Sequence, residues 1–106
     1  MVSIIESGVT FGDFSEHDVY KIEHSQGHKS LGQGFKIVEF TYINKNNLFV
    51  IEAKSTIPRP TNVDDYNKFW AEIFEKFENS LLLQLMGCLE RNEIVQQELP
   101  THHKKI

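Results

Sequence analysis

Two apolar runs rich in β-branched and aromatic residues, Phe35–Ile43 and Leu48–Ser55, flank the connector Asn44-Lys45-Asn46-Asn47. That composition around an Asn-rich break specifies a β-hairpin over about residues 35–55. A two-residue turn at Lys45-Asn46 and a four-residue loop from Asn44 to Asn47 impose the same register. Ile43 then faces Leu48, and Glu39 faces Glu52. Side chains alternate along a strand, so Lys54 shares a face with Glu52. Two carboxylates directly opposite each other repel, and a divalent cation between them is the obvious compensation.

A blander origin for these charges has to be weighed. A carboxylate-x-Lys triplet such as Glu52-Ala53-Lys54 arises by chance about once in a chain this long. A half-buried strand also carries charges on its solvated face, and an odd-length loop or a bulge would move one Glu to the other side of the sheet. Against this, the second run is apolar on both faces until Glu52. Charge arrives only at its C-terminal end, where open α/β sheets place ligands.

Pro58 and Pro60 stop the strand, because proline donates nothing to a ladder and restricts the residue before it. Thr61 or Asn62 then caps a helix whose first turn holds Asp64 and Asp65 at the positive end of the dipole. Tyr66, Phe69, Trp70, Ile73, Phe74, Phe77, Leu81, Leu85 and Leu89 recur at spacings of three and four. They predict one amphipathic helix over about residues 62–89, with that stripe as its core face. Asn67, Lys68, Glu72, Lys76 and Glu78 fall on the polar face, and Gly87 weakens or ends the helix.

Elsewhere the signals are weaker. Residues 1–13 read as a short strand with a Gly turn, Val19–Glu23 as another strand, and Gln26–Gly34 as a loop or broken helical turn. Residues 90–106 are a polar tail in which His102 and His103 read as solvated. His17, His24 and His28 lie in predicted loops, with His24 drawing notice for its place beside Glu23. The sum is one domain over residues 1–106, of α/β (α+β) class. Its predicted core is a small mixed sheet with a central hairpin covered by a long helix. No strand follows the helix to return it to the sheet, so the chain reads as a fragment or a shortened form of a larger fold. The exposed sheet edge this leaves suits a second copy of the chain.

Composition narrows the function classes. The 106 residues are 40% apolar and 25% charged, with a net charge of −4. That balance opposes a surface that grips nucleic acid everywhere, although an acidic metal site with a local basic rim is compatible with it. Lys21, Lys29, Lys36, Lys45 and Arg59 are candidates for the rim, without clustering in sequence. Cys88 is the single cysteine, which excludes an internal disulfide and fits a reducing cytoplasm. It follows a leucine run and reads as a buried structural thiol. The longest apolar run is too short for a membrane span, and the N-terminus lacks a basic start, so a cytoplasmic, membrane-free location is expected.

The pattern Val38-Glu39 … Val50-Ile51-Glu52-Ala53-Lys54 resembles the signature of the PD-(D/E)xK (restriction-endonuclease-like) nuclease superfamily. The resemblance covers about residues 35–90, with chemical specificity at three positions. It implies that Glu39 stands where the family usually has Asp, with Val38 in place of the preceding Pro. It further implies that Glu52 is the second metal ligand and Lys54 the catalytic lysine. The family's frequent upstream acid maps best onto Glu23, with Glu6 next. Such a site takes Mg²⁺ or Mn²⁺ on carboxylate oxygens to neutralise a phosphodiester and activate water, while the lysine stabilises developing charge. Two readings follow: a metal-dependent nuclease acting on nucleic acid, or a non-catalytic member of the same fold serving as an interaction or assembly module.

Overall fold

A computed structural model describes residues 1–23, 25–31, 34–89 and 92–105. His24 lies outside the described residues. The chain is a small α+β protein, with two antiparallel sheets and three helices among the described residues. Strands β1 (Val2–Glu6) and β2 (Val9–Phe14) form a two-stranded sheet. Strands β3 (Val19–Tyr20), β4 (Phe40–Asn44) and β5 (Asn47–Ile51) form the second sheet in that order. The single mixed sheet predicted from sequence is thus corrected. A parallel pair needs a long crossover between its strands, and the long helix here follows the last strand of the sheet instead of joining two of them.

The hairpin register is the predicted one. Lys45 and Asn46 take positive φ (50° and 68°) between paired Asn44 and Asn47, a two-residue turn whose twist matches that of the strands. Ile43 pairs with Leu48, and the ladder ends at Phe40 and Ile51. The ladder is shorter than residues 35–55. Upstream of Phe40 the backbone is claimed by the long helix: Ser80 Oγ accepts from Val38 N (2.9 Å), and Asn79 Nδ2 donates to Lys36 O (2.9 Å). Val19–Glu23 is likewise strand only at Val19–Tyr20.

Helices α1 (Gln26–Ser30), α2 (Val63–Cys88) and α3 (Glu93–Glu98) complete the fold, with a final 3-10 turn at His103–Lys105. Asn62 occupies the N-cap position of α2, but its side chain donates to Asp65 Oδ2 (2.9 Å) and makes no cap bond to the backbone. The length of α2 agrees with the periodicity, whereas its orientation agrees only in the first half, where Ile73 is buried and Phe69, Trp70 and Phe77 are half-buried. The buried positions are Ile73, Ser80, Leu83, Gln84 and Gly87. Phe74, Leu81, Leu82, Leu85 and Leu89 are between 47% and 61% exposed. The helix is turned so that Ser80 and Gln84 meet buried polar groups, because an unmet buried donor or acceptor costs about 1–3 kcal/mol. Summed hydrophobicity has no knowledge of that demand.

Val95 of α3, fully buried, packs among Ile22, Ile37, Val38, Leu83 and Leu99. It fits against α1 and α2 because residues 27 and 87 are glycine: a Cβ on either would lie 2.5 Å from a Val95 methyl. Gly87 is therefore a close-packing position inside the helix, not its terminator. α1 is held to α3 by the Glu98 carboxylate, which accepts from Gln26 N (2.7 Å) and Gly27 N (2.6 Å). A second cluster, Ile4, Val19 and Phe40, joins the two sheets.

The polar tail is also corrected. His103 is fully buried, and its Nε2–H donates to Asp18 O (2.5 Å) while Nδ1 accepts from Gln84 Nε2 (2.7 Å). Asp18 O can only accept and Gln84 Nε2 can only donate, which together fix this neutral tautomer. Gln84 Oε1 in turn accepts from Thr41 Oγ1 (2.8 Å), so one polar chain links β4, α2 and the tail. His102 Nδ1 pairs with Asp18 Oδ1. Cys88 is half-buried as a structural thiol; Sγ donates to His103 O (3.4 Å), and burial pushes the thiol up.

Gly87→Val is expected to lower stability by about 1–3 kcal/mol through overpacking on Val95, read as a fall in the urea midpoint; adding Val95→Ala should restore part of it. Burial holds His103 below its ordinary 6.5, against the weaker pull of Asp18. The stability it confers is complete above 6.5 and is lost as pH falls through the lower folded-state value. The stability difference between the natural chain and His103→Leu should therefore shrink from pH 7.5 to pH 5; a difference independent of pH would contradict this.

Candidate metal centre

The site begins where the β4–β5 ladder stops. Glu39 immediately precedes β4 and Glu52 immediately follows β5, so the hairpin register brings them together just outside the last bonded pair. The Ser80–Val38 bond and the burial of Ile37 and Val38 fix the backbone that carries Glu39. Glu23, beyond the short β3, comes in from the other side. Carboxylate oxygens of Glu23, Glu39 and Glu52 all lie within 4.8 Å of one another, the one such group among the described residues. Lys54 sits on the same face as Glu52, with Nζ 3.6 Å from Glu52 Oε2. The four residues singled out from the sequence are thus neighbours in space.

Lys76 is a fifth member that the periodicity places on the solvated face of α2, yet its side chain is only 19% exposed and its Nζ donates to Glu52 Oε2. Burial opposes its charge, but the bond to Glu52 and the charges of Glu52 and Glu23 outweigh that and hold the ammonium above its usual range. The signal available in sequence was position: Lys76 lies four residues before Ser80, on the face that the structure turns inward.

Glu52 has a side chain 2% exposed, and its two oxygens differ. Oε2 is shared by Lys76 and Lys54, whereas Oε1 is buried without a hydrogen-bond partner among the described residues. Glu39 is crowded as well. Burial, then the charges of Glu23 and Glu52, push its carboxyl from 4.5 up to about 8, with Glu6 adding a smaller push. Crowded carboxylates, one buried oxygen with no donor, and a purely oxygen donor set fit a hard divalent cation. Two lysines supply part of the missing positive charge already.

Two cavities flank the cluster. One, of about 260 Å³, is lined by Ser3, Ile5, Glu6, Lys21, Glu23 and Glu39. The other, of about 280 Å³, runs from Glu52 and Lys54 along Phe69, Trp70 and Phe77 of α2. Of the rim lysines proposed from sequence, Lys21 reaches the first cavity, whereas Lys36 is paired with Glu72 (3.2 Å) and Lys45 is in the distant hairpin turn. A larger cavity of about 490 Å³ lies at that turn, between Asp18, Lys45 and His102, away from the carboxylates.

With Glu39 protonated up to about pH 8, the folded state binds a proton that the unfolded chain releases near 4.5. Its stabilising contribution is full below 4.5 and is lost as pH rises toward 8. Glu39→Gln should flatten the thermal-stability profile across that window. A bound cation needs the ionised carboxylate, so Mg²⁺ or Mn²⁺ should raise the melting temperature more at pH 8 than at pH 5. A cation response independent of pH would remove Glu39 from the ligand set.

No family model, curated protein or solved structure matches the chain, so its function is argued from the chemistry of this cluster.

Proposed function

We propose that the chain is a metal-dependent nuclease domain of the PD-(D/E)xK type, acting on phosphodiester bonds with Mg²⁺ or Mn²⁺. The observation that carries the reading is the convergence of Glu23, Glu39 and Glu52 within 4.8 Å, with Lys54 on the same face. Glu39, Glu52 and Glu23 would hold the cation, which when bound supplies neutralisation of the scissile phosphate and activation of water. Lys54, 38% exposed at its side chain, lies 3.6 Å from Glu52 Oε2 and is open enough to meet a phosphate oxygen. It would stabilise the negative charge that develops as the bond breaks. Lys76, deeper on α2, orients Glu52 by holding Oε2 and leaves Oε1 for the cation. The restriction-endonuclease-like core is part of the same proposal: a hairpin bearing the acids, with a helix packed behind it.

One observation favours a second reading. Glu52 already has an internal cation in Lys76, so the cluster is partly compensated without metal. A non-catalytic module of the same fold, assembling through the open edge of β5 with a second copy, would need no more than that. Cleavage of single- and double-stranded substrates with Mg²⁺, Mn²⁺ or EDTA separates the two. The nuclease reading expects cation-dependent products, a loss of at least about a hundredfold in Glu52→Ala and Lys54→Met, and an unchanged circular dichroism spectrum for the latter. Substrate left uncut at high protein concentration, together with no calorimetric heat from Mn²⁺, would leave the assembly module.

A further inference from the structure

The second flanking cavity has a composition that metal chemistry alone does not require. Glu52 and Lys54 stand at one end, and its walls are Ile57, Phe69, Trp70, Ile73 and Phe77. Phe69 and Trp70 meet edge to face with ring centroids 5.3 Å apart. At about 280 Å³ the groove is just below the usual range for drug-sized ligands, which is room for one ring system. It has an aromatic wall and, among its lining residues, the Lys54 ammonium beside Glu52. That set matches a flat nucleobase followed by an anionic phosphate.

We propose that this groove seats one unpaired base of a single-stranded nucleic acid whose adjacent phosphate lies at the carboxylate cluster. The inference rests on the nuclease reading and narrows its substrate class. A base within a duplex is stacked and paired and cannot enter such a groove without leaving the helix. The chain's net charge of −4 also leaves little affinity to come from phosphates alone. Stacking on Phe69 or Trp70 supplies it in a way that tolerates any base. Lys54 joins the two halves, since it borders both the groove and the cluster.

Trp70 is the single tryptophan, so its emission reports on the groove directly. The full chain, with Ca²⁺ in place of Mg²⁺, is titrated with an oligothymidylate, an oligouridylate, an abasic strand of equal length and a blunt duplex. Both base-bearing single strands should quench Trp70 saturably, and their relative affinities distinguish DNA from RNA as the source. The abasic strand and the duplex should bind at least about tenfold more weakly. Phe69→Ala, and Ile57→Ser on the exposed loop in case the first variant misfolds, should cost about tenfold for the oligothymidylate and little for the abasic strand. Equal affinity for abasic and base-bearing strands, or strand binding that leaves Trp70 emission unchanged, overturns the base groove even where cation-dependent cleavage persists. Failure of every strand to bind a cation-loaded protein overturns it too. Quenching by single strands in a protein that binds no Mn²⁺ has the opposite meaning: the groove stands and the nuclease reading falls.

Discussion

The hydroxyl of Ser80 is the contact on which the arrangement of the molecule turns. It accepts the Val38 amide at 2.9 Å and donates to Lys76 O at 2.6 Å, so one side chain ties the backbone before β4 to the middle of α2. Asn79 repeats the tie at Lys36, and Gln84 extends it to Thr41 and His103. These bonds set both the height and the rotation of the helix. With the helix so placed, Lys76 faces Glu52, and Glu39 is delivered to the same point from the strand. A hydrogen bond of this kind contributes only about 1 kcal/mol net, but leaving either partner buried and unmet costs more. The orientation is therefore enforced chiefly by what the alternatives would leave unsatisfied.

That choice has a consequence on the other side of α2. Turning Ser80, Gln84 and Gly87 inward leaves Phe74, Leu81, Leu82, Leu85 and Leu89 facing outward. An apolar row of that kind exceeds what single scattered surface residues amount to. The interior is built instead from closely approaching small residues, with Val95 seated against Gly27 and Gly87 and with a neutral histidine completing the polar chain.

Charge around the candidate centre is balanced only in part. Three carboxylates share one point, and two lysines, both contacting the same oxygen of Glu52, answer them. The remaining imbalance falls on Glu39, whose carboxyl answers by retaining its proton, and on Glu52 Oε1, which has no donor among the described residues. Proton and divalent cation are alternative solutions to the same repulsion, one favoured at low pH and the other at high pH.

Much of the local structure was legible in the residues themselves. The Asn-rich connector and its flanks determined the hairpin and its register, because side-chain alternation and turn length leave few choices; Glu39 and Glu52 followed from that register. Two prolines and a long run at helical spacing determined the existence and bounds of α2 to within a residue or so. Glu23 is singled out only by the resemblance to the nuclease family, as its upstream acid, and the structure brings it to the cluster. What the tertiary structure alone decided was which face of the C-terminal half of α2 is buried, that Lys76 joins the site, that the strands form two antiparallel sheets, and that His103 returns to the core. Each of these depends on pairings between residues far apart in the chain: Ser80 with Val38, Lys76 with Glu52, His103 with Asp18. Periodicity reports how apolar a face is, whereas burial here was settled by which face could satisfy the polar groups already waiting in the core.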